Sequence, residues 1–254
     1  MQIDLNCDMG ESFGAYSMGN DAEILRYVSS ANIACGFHAG DPHVMRKTVA
    51  AAIANNVAIG AHPSLPDLQG FGRRAMAMSV SEVYDIVLYQ IAALAGFTQA
   101  LGAPLTHVKA HGALYNMAAK DKPLALAIAH AVHDFDKQLV LFGLAGSEQI
   151  RAADTVGLRS ASEVFADRTY QDDGSLTART QPHAMIEDID TAVLQVLRMA
   201  TEGKVRSVSG KDIGVRSDTL CLHGDQPNAL LFAQRIRAEL EGAGVIVAAP
   251  VNER

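Results

Sequence analysis

The sequence predicts a parallel α/β fold: a TIM-like barrel of seven or eight strands, forming one domain over residues 1–254. A doubly wound open sheet is the runner-up. Three observations predict it. Strand-like and helix-like segments alternate from one terminus to the other, the pattern of βα units with right-handed crossovers. The chain has 254 residues, 49% of them hydrophobic, and one α/β barrel commonly has roughly 250 residues. Five segments each run from a β-like apolar stretch into polar, chemically able residues. They are Asp4-Leu5-Asn6-Cys7-Asp8, Cys35-Gly36-Phe37-His38-Ala39-Gly40-Asp41, Gly60-Ala61-His62-Pro63, Val108-Lys109-Ala110-His111-Gly112 and Leu220-Cys221-Leu222-His223-Gly224-Asp225. Strand ends at one mouth of a parallel barrel are where active sites assemble.

Residues 3–7 and 31–35 read as the first strands. A helix follows, with Asp41 as its cap and Pro42 at the first helical position, where a missing N–H costs nothing. Met45, Val49, Ala52 and Ile53 mark its buried stripe. Residues 57–61 form the next strand. Ser79 and Glu82 then make a capping box, ahead of a long helix whose apolar face is Val83, Ile86, Val87, Ile91 and Leu94. Residues 106–109 are a strand and 123–132 a helix. The almost wholly apolar 139–143 reads as a strand covered on both faces. Residues 158–164 form another strand. Ile189, Val193, Val196, Leu197 and Ala200 outline a helix that Gly203 ends. Residues 205–208 and 219–222 are further strands, 227–240 a helix and 245–249 a closing strand. Stretches 65–78 and 170–183 are too irregular for regular elements and read as active-site loops or partner surfaces.

The formal net charge of −7 argues against a nucleic-acid partner and against a polybasic membrane anchor. No apolar run approaches the length that spans a bilayer. The N-terminus lacks the basic and apolar regions of a signal peptide. Cys7, Cys35 and Cys221 are odd in number and widely spaced, which fits a reducing compartment and a cytoplasmic protein rather than a disulfide framework or thiolate zinc site. No phosphate-loop, dinucleotide or GxSxG motif is present.

Asp8 ends the first strand, where a carboxylate binds metal, orients a His, serves as a base or merely caps a turn. His38 lies among glycines that let backbone approach a ligand. His38 and His43 form H-x4-H, but His43 falls inside a helix where it faces solvent. His62 is held extended by Pro63. Arg73 and Arg74 form a positive loop suited to a carboxylate or phosphate. Lys109 and His111 alternate at a strand end, so both enter one cavity, and a buried Lys is costly without a task. Asn116 adds a polar contact. Glu163, Asp167 and Arg168 read either as a surface ion-pair group or as a base with an anion clamp. His223 closes the set, and Asp225 either joins it or caps the next helix.

Together these segments resemble the LamB/YcsF family over nearly the whole chain. The resemblance rests on residues 4–11, 31–41, 60–64, 71–73, 107–116, 163–168 and 221–225, in one order. One departure is Ala110, where the family pattern carries Pro; His43 is not a position that pattern demands. The resemblance implies a seven-stranded, irregular barrel of the glycoside hydrolase/deacetylase type. It implies ATP-dependent opening of the 5-oxoproline lactam to glutamate, with ATP as co-substrate and partner subunits B and C. A homo-oligomer stays open. On that chemistry Asp8 with His38 or His62 activates water, with a divalent metal on Asp8, His38 and His62 as one route. Lys109 neutralises a developing oxyanion or phosphate, and His111 or His223 protonates the leaving nitrogen. Arg73 or Arg168 holds the substrate carboxylate, and Asn116, Glu163, Asp167 and Asp225 complete the binding set. The rivals are a stand-alone metal-dependent amidase or deacetylase, and a non-catalytic scaffold that only binds partners.

Overall fold

The computed structural model describes residues 1–222 and 228–250. The elements run β1 (Gln2–Met9), α1 (Asp21–Ile24), β2 (Ser30–Ala34), α2 (Pro42–Ala54), β3 (Ala58–His62), α3 (Val80–Ala100), β4 (Leu105–Lys109), α4 (Gly112–Ala118) and α5 (Lys122–Phe135). They continue with β5 (Val140–Leu144), α6 (Glu148–Val156), β6 (Arg159–Phe165), α7 (Ile189–Glu202), β7 (Lys204–Arg206), β8 (Asp212–Gly214), β9 (Thr219–Leu222), α8 (Ala229–Gly242) and β10 (Ile246–Val247). Strands β1 to β6 pair in sequence order, and β9 pairs with both β6 and β1. The seven parallel strands therefore close into a barrel, the class the alternation predicts.

Two expected strands fall outside it. Residues 204–206 pair antiparallel with 212–214 as a separate ribbon. The closing strand shrinks to two residues that pair with Gln2 and Ile3. In α2, Met45, Val49 and Ala52 are buried, but Ile53 is 37% exposed, and Thr48 takes the place on the buried face. The capping box at Ser79 and Glu82 forms, and Gly203 ends α7 in the left-handed conformation. Helix α3 is, contrary to the sequence reading, long and apolar enough to cross a membrane by length and composition. Here its Val83, Val87, Ile91 and Leu94 are buried in the main core cluster.

Alternation along β1 sends Ile3, Leu5, Cys7 and Met9 into that core, and Asp4, Asn6 and Asp8 into the barrel lumen. The lumen is consequently polar and must be hydrogen-bonded throughout. Thr219 donates to Asp4 at 2.6 Å, and Asn6 Nδ2 donates to Thr219 at 2.7 Å and to Glu163 at 3.0 Å. Asn32 Nδ2 donates to Asn6 Oδ1 at 2.7 Å and to Asp8 Oδ1 at 2.9 Å. That orientation aims Asn32 Oδ1 at His107 Nε2, 2.9 Å away, which must donate. Burial and then the Lys109 charge bring the His107 pKa down to about 3, so the ring is neutral. It stacks on Phe142 at 4.2 Å and lies over Gly60, where any Cβ would overlap the imidazole. Gly60 is thus the space that admits His107 to the lumen.

Asp4 is 1% exposed and also accepts from Ser29 at 2.6 Å and Ser30 at 2.8 Å. Burial raises its pKa from 3.8 to about 6, against the lowering effect of these hydroxyls. The folded value exceeds the unfolded one, so its stabilising contribution is complete below about pH 4 and is lost as pH rises to about 6. In urea titrations across that window, wild type should lose roughly 3 kcal/mol relative to Asp4→Asn. Parallel pH profiles for the two proteins would contradict this.

Candidate active site and metal centre

Lys109 ends β4 inside the lumen and is 3% exposed. Its Nζ lies 2.9 Å from Asp8 Oδ1, 2.9 Å from Glu163 Oε1, 3.2 Å from Asn6 Oδ1 and 3.1 Å from Cys221 Sγ. Burial alone would favour the neutral amine, but Asp8, Cys221 and Glu163 outweigh it and hold the ammonium's pKa well above its ordinary value. An ammonium has three N–H donors. Four protein acceptors surround them, and Lys109 thereby clamps Asp8 and Glu163 together at the cavity wall.

The imidazoles gather above this clamp. His62 Nδ1 donates to the Lys109 carbonyl at 2.7 Å, because a carbonyl only accepts. Its Nε2 lies 3.3 Å from Asp8 Oδ2 and 3.0 Å from His111 Nδ1. His111 Nε2 donates in the same way to the Phe71 carbonyl at 2.9 Å, leaving its Nδ1 with a lone pair. The 3.0 Å approach of the two rings is made favourable by a proton on His62 Nε2 or by a metal ion between them. His38 stacks on His111 with ring centroids 3.8 Å apart, and both its nitrogens are buried without a hydrogen-bond partner among the described residues. His38 Nε2 lies 3.6 Å from Glu11 Oε1, which is 3.8 Å from His111 Nδ1.

One donor atom from each of Glu11, His38, His62 and His111 falls within 4.8 Å of the others. Burial first, then the neighbouring imidazoles, hold His38 well below its ordinary value and bring His111 to about 3. Neutral rings are the ligand form. The backbone carbonyls of Lys109 and Phe71 fix two of them in the way outer-shell groups orient metal-binding His. Three imidazoles and a carboxylate suit zinc or another first-row divalent ion. His38 and His62 belong to the set the sequence suggests. Glu11 supplies its carboxylate and His111 its third ring, while Asp8 stays with Lys109, outside the four-donor group. His43 is exposed on α2, as expected.

Loop 70–74 shapes this cluster. Gly72 has φ +64, and a Cβ there would press on His38 Cβ at 2.8 Å and His111 Cδ2 at 2.9 Å. Phe71 is held at φ +54, a strained value for a bulky residue, which aims its carbonyl at His111. Asp67 pairs with Arg74 across the loop base. His111 N donates to Pro63 O and Ala113 N to Gly72 O, both at 2.8 Å, docking the loop against the start of α4.

A cavity of about 550 Å³ opens over the cluster. Asp8, Glu11, His62, Lys109 and His111 line it, together with Arg73, Lys120, Arg168 and Arg179. Asp8, His38, His62, Lys109 and His111 therefore meet as the sequence suggests, with Glu163 beneath them. Arg73 lies over the Phe71 ring at 4.9 Å. Asn116 lines the cavity and donates to Gly112 O at 3.0 Å. Asp167 is buried away from the cavity lining, and its carbonyl accepts from Ile186 N. His223 and Asp225 lie outside the described residues. The sequence reading passed over Glu11, Asn6, Asn32 and Tyr115, whose buried side chain also lines the cavity. Asn6 was discoverable, since it sits at period two between Asp4 and Asp8. Glu11 follows the strand's end, where no periodicity marks direction.

Removing one partner of a buried ion pair leaves an uncompensated charge. Lys109→Met should destabilise the chain by about 3–5 kcal/mol in denaturant unfolding. Adding Glu163→Gln should recover part of that loss. A Lys109→Met protein as stable as wild type would refute the clamp.

The LamB/YcsF family pattern matches residues 3–254. The 5-oxoprolinase A-subunit of Bordetella pertussis is 63% identical over 247 residues, covering 97% of this chain and 98% of that protein. The 5-oxoprolinase A-subunit of Bacillus subtilis is 60% identical over 253 residues, covering 100% and 98%. Among solved structures, the lactam utilization protein from Thermus thermophilus superposes with a TM-score of 0.94 at 50% identity, covering 98% of this chain and 100% of that one. By sequence and by fold along its length, the chain belongs to the LamB/YcsF family.

Proposed function

We propose that this chain is the lactam-opening component of a cytoplasmic, ATP-dependent 5-oxoprolinase, its A-subunit, acting with subunits B and C to convert 5-oxoproline to glutamate. The observation that carries the reading is the meeting of Asp8, Glu11, His62 and His111, with His38 stacked on His111, at a cavity that also has cationic walls. The names of the relatives supply the substrate. The buried free thiols Cys7, Cys35 and Cys221 suit a reducing compartment.

A lactam is a resonance-stabilised amide, so hydrolysis needs an activated carbonyl and an activated water. Coupling to ATP supplies the first when phosphorylation of the amide oxygen makes the ring carbon electrophilic. Glu11, His38, His62 and His111 would hold a divalent cation. Such an ion supplies Lewis-acid polarisation and a bound water of lowered pKa. Asp8 is the general base. Its Oδ1 is fixed by Lys109 and Asn32, and its Oδ2 is directed toward the imidazole cluster. Asp8 takes the proton of the attacking water as the C–O bond forms. The ring C–N bond then breaks, the proton passing to the departing nitrogen, and a second water hydrolyses the resulting γ-glutamyl phosphate to glutamate and inorganic phosphate. Lys109 keeps Asp8 ionised and oriented. Positive charge on Arg73 and Arg168 favours an anionic substrate over a neutral one.

The test is glutamate release by this chain mixed with its partner subunits, ATP and 5-oxoproline, with each component omitted in turn. Omitting any protein or ATP should abolish turnover. Asp8→Asn should lower it by roughly 100-fold or more, the usual contribution of a general base. Chelator treatment should remove activity that one equivalent of a first-row divalent ion restores. Turnover by a folded Asp8→Asn complex within about threefold of wild type, a difference of under about 1 kcal/mol in barrier, would contradict the reading.

A further inference from the structure

Arg168 follows β6 and is 5% exposed, yet it lines the cavity. Among the described residues its guanidinium has no carboxylate within ion-pair distance. It is held instead by two backbone carbonyls: Nη2 donates to Thr177 O at 2.5 Å, and Nε sits 3.4 Å from Ala184 O. Beyond the field of neighbouring Asp167, this buried charge is met only by carbonyl dipoles, which is costly unless a further opposite charge arrives. The nearby cation Arg179 adds to that cost. Burial, and then Arg179, lower the Arg168 pKa to about 10, so it is still charged at neutral pH.

The geometry points to Arg168 as a carboxylate-binding subsite that selects small cyclic amides bearing an adjacent carboxylate. Of its five N–H groups, two are spent on carbonyls. Three remain, and they belong to the two terminal nitrogens, whose planar fork matches a carboxylate in bidentate fashion. A single guanidinium also balances a monoanion. Arg73 is the weaker candidate: it is exposed and lies over Phe71.

The fork is held before any ligand arrives. The main chain at Arg168 is gripped by Gln195 Nε2, 2.9 Å from the Arg168 carbonyl, and by an antiparallel bridge to Met185. Its guanidinium staples the loop it bonds, through Thr177 and Ala184, and that loop supplies Ser175 and Arg179 to the cavity wall. The anion site and the cavity wall are thus one structure, which reduces the ordering cost of binding. The identity of the ligand's ring rests on the lactam reading; the carboxylate dependence does not.

Calorimetry on the full chain separates the two. The probes are 5-oxoproline, its carboxylate-free analogue 2-pyrrolidinone, cyclopentanecarboxylate, which has the carboxylate without the lactam, and inorganic phosphate. Wild type should bind both carboxylates more tightly than 2-pyrrolidinone. Arg168→Met should weaken both carboxylates by roughly 10- to 100-fold, the loss of a charge-assisted pair, and leave 2-pyrrolidinone unchanged. Arg168→Lys, which keeps the charge but loses the fork, should fall between the two and shows that folding is intact. If the lactam reading fails and this one holds, cyclopentanecarboxylate still depends on Arg168 while 5-oxoproline gains nothing from its ring amide. Carboxylate affinities in Arg168→Lys and Arg168→Met within about threefold of wild type would overturn the subsite, as would Arg168-dependent binding of phosphate alone.

Discussion

One lysine organises this molecule's interior. Its ammonium ties Asp8 of β1 to Glu163 of β6 across the lumen, and its own carbonyl receives the Nδ1 proton of His62 from β3. The side chain therefore sets the position of the carboxylate, and the main chain sets the tautomer of the imidazole beside it. Glu11, His38 and His111 then assemble around His62 Nε2. Around it, Arg73, Lys120, Arg168 and Arg179 add further positive charge to the cavity wall.

The cost of this arrangement is a lumen of polar groups in place of the layered branched side chains that fill many such barrels. It is met by connectivity. Asp4, Thr219, Asn6, Asn32 and His107 form one hydrogen-bonded set, and Phe142 fills the apolar side against the His107 ring. Each member is satisfied through its neighbour, so single substitutions strand a buried partner and penalise stability along with geometry. The absent side chain of Gly60 belongs to the same design, since it makes the room that His107 occupies.

The barrel was legible because alternation of strand and helix, caps at Asp41 and Ser79, and a glycine stop at Gly203 are local signals. The convergence of Asp8, His38, His62, Lys109 and His111 was legible too, since all sit at strand ends of one parallel barrel. The role of Lys109 was not. Whether an ammonium has a free donor depends on Glu163 and Cys221, both far off in sequence. Glu11 was missed because it lies beyond Gly10, where the period-two rule no longer assigns a face. The separate ribbon at 204–214 was missed because an apolar Val205 reads the same in a barrel strand as in a surface hairpin.

The central claim is that backbone carbonyls fix the outer nitrogens of two imidazoles, so that His62 Nε2 and His111 Nδ1 are turned toward each other. Nitrogen-15 spectra of the metal-free chain near pH 7, with rings assigned through His62→Gln and His111→Gln, test it most directly. The account predicts a proton on His62 Nδ1 and on His111 Nε2. A His62 ring whose only proton is on Nε2, or a His111 ring whose only proton is on Nδ1, would contradict it.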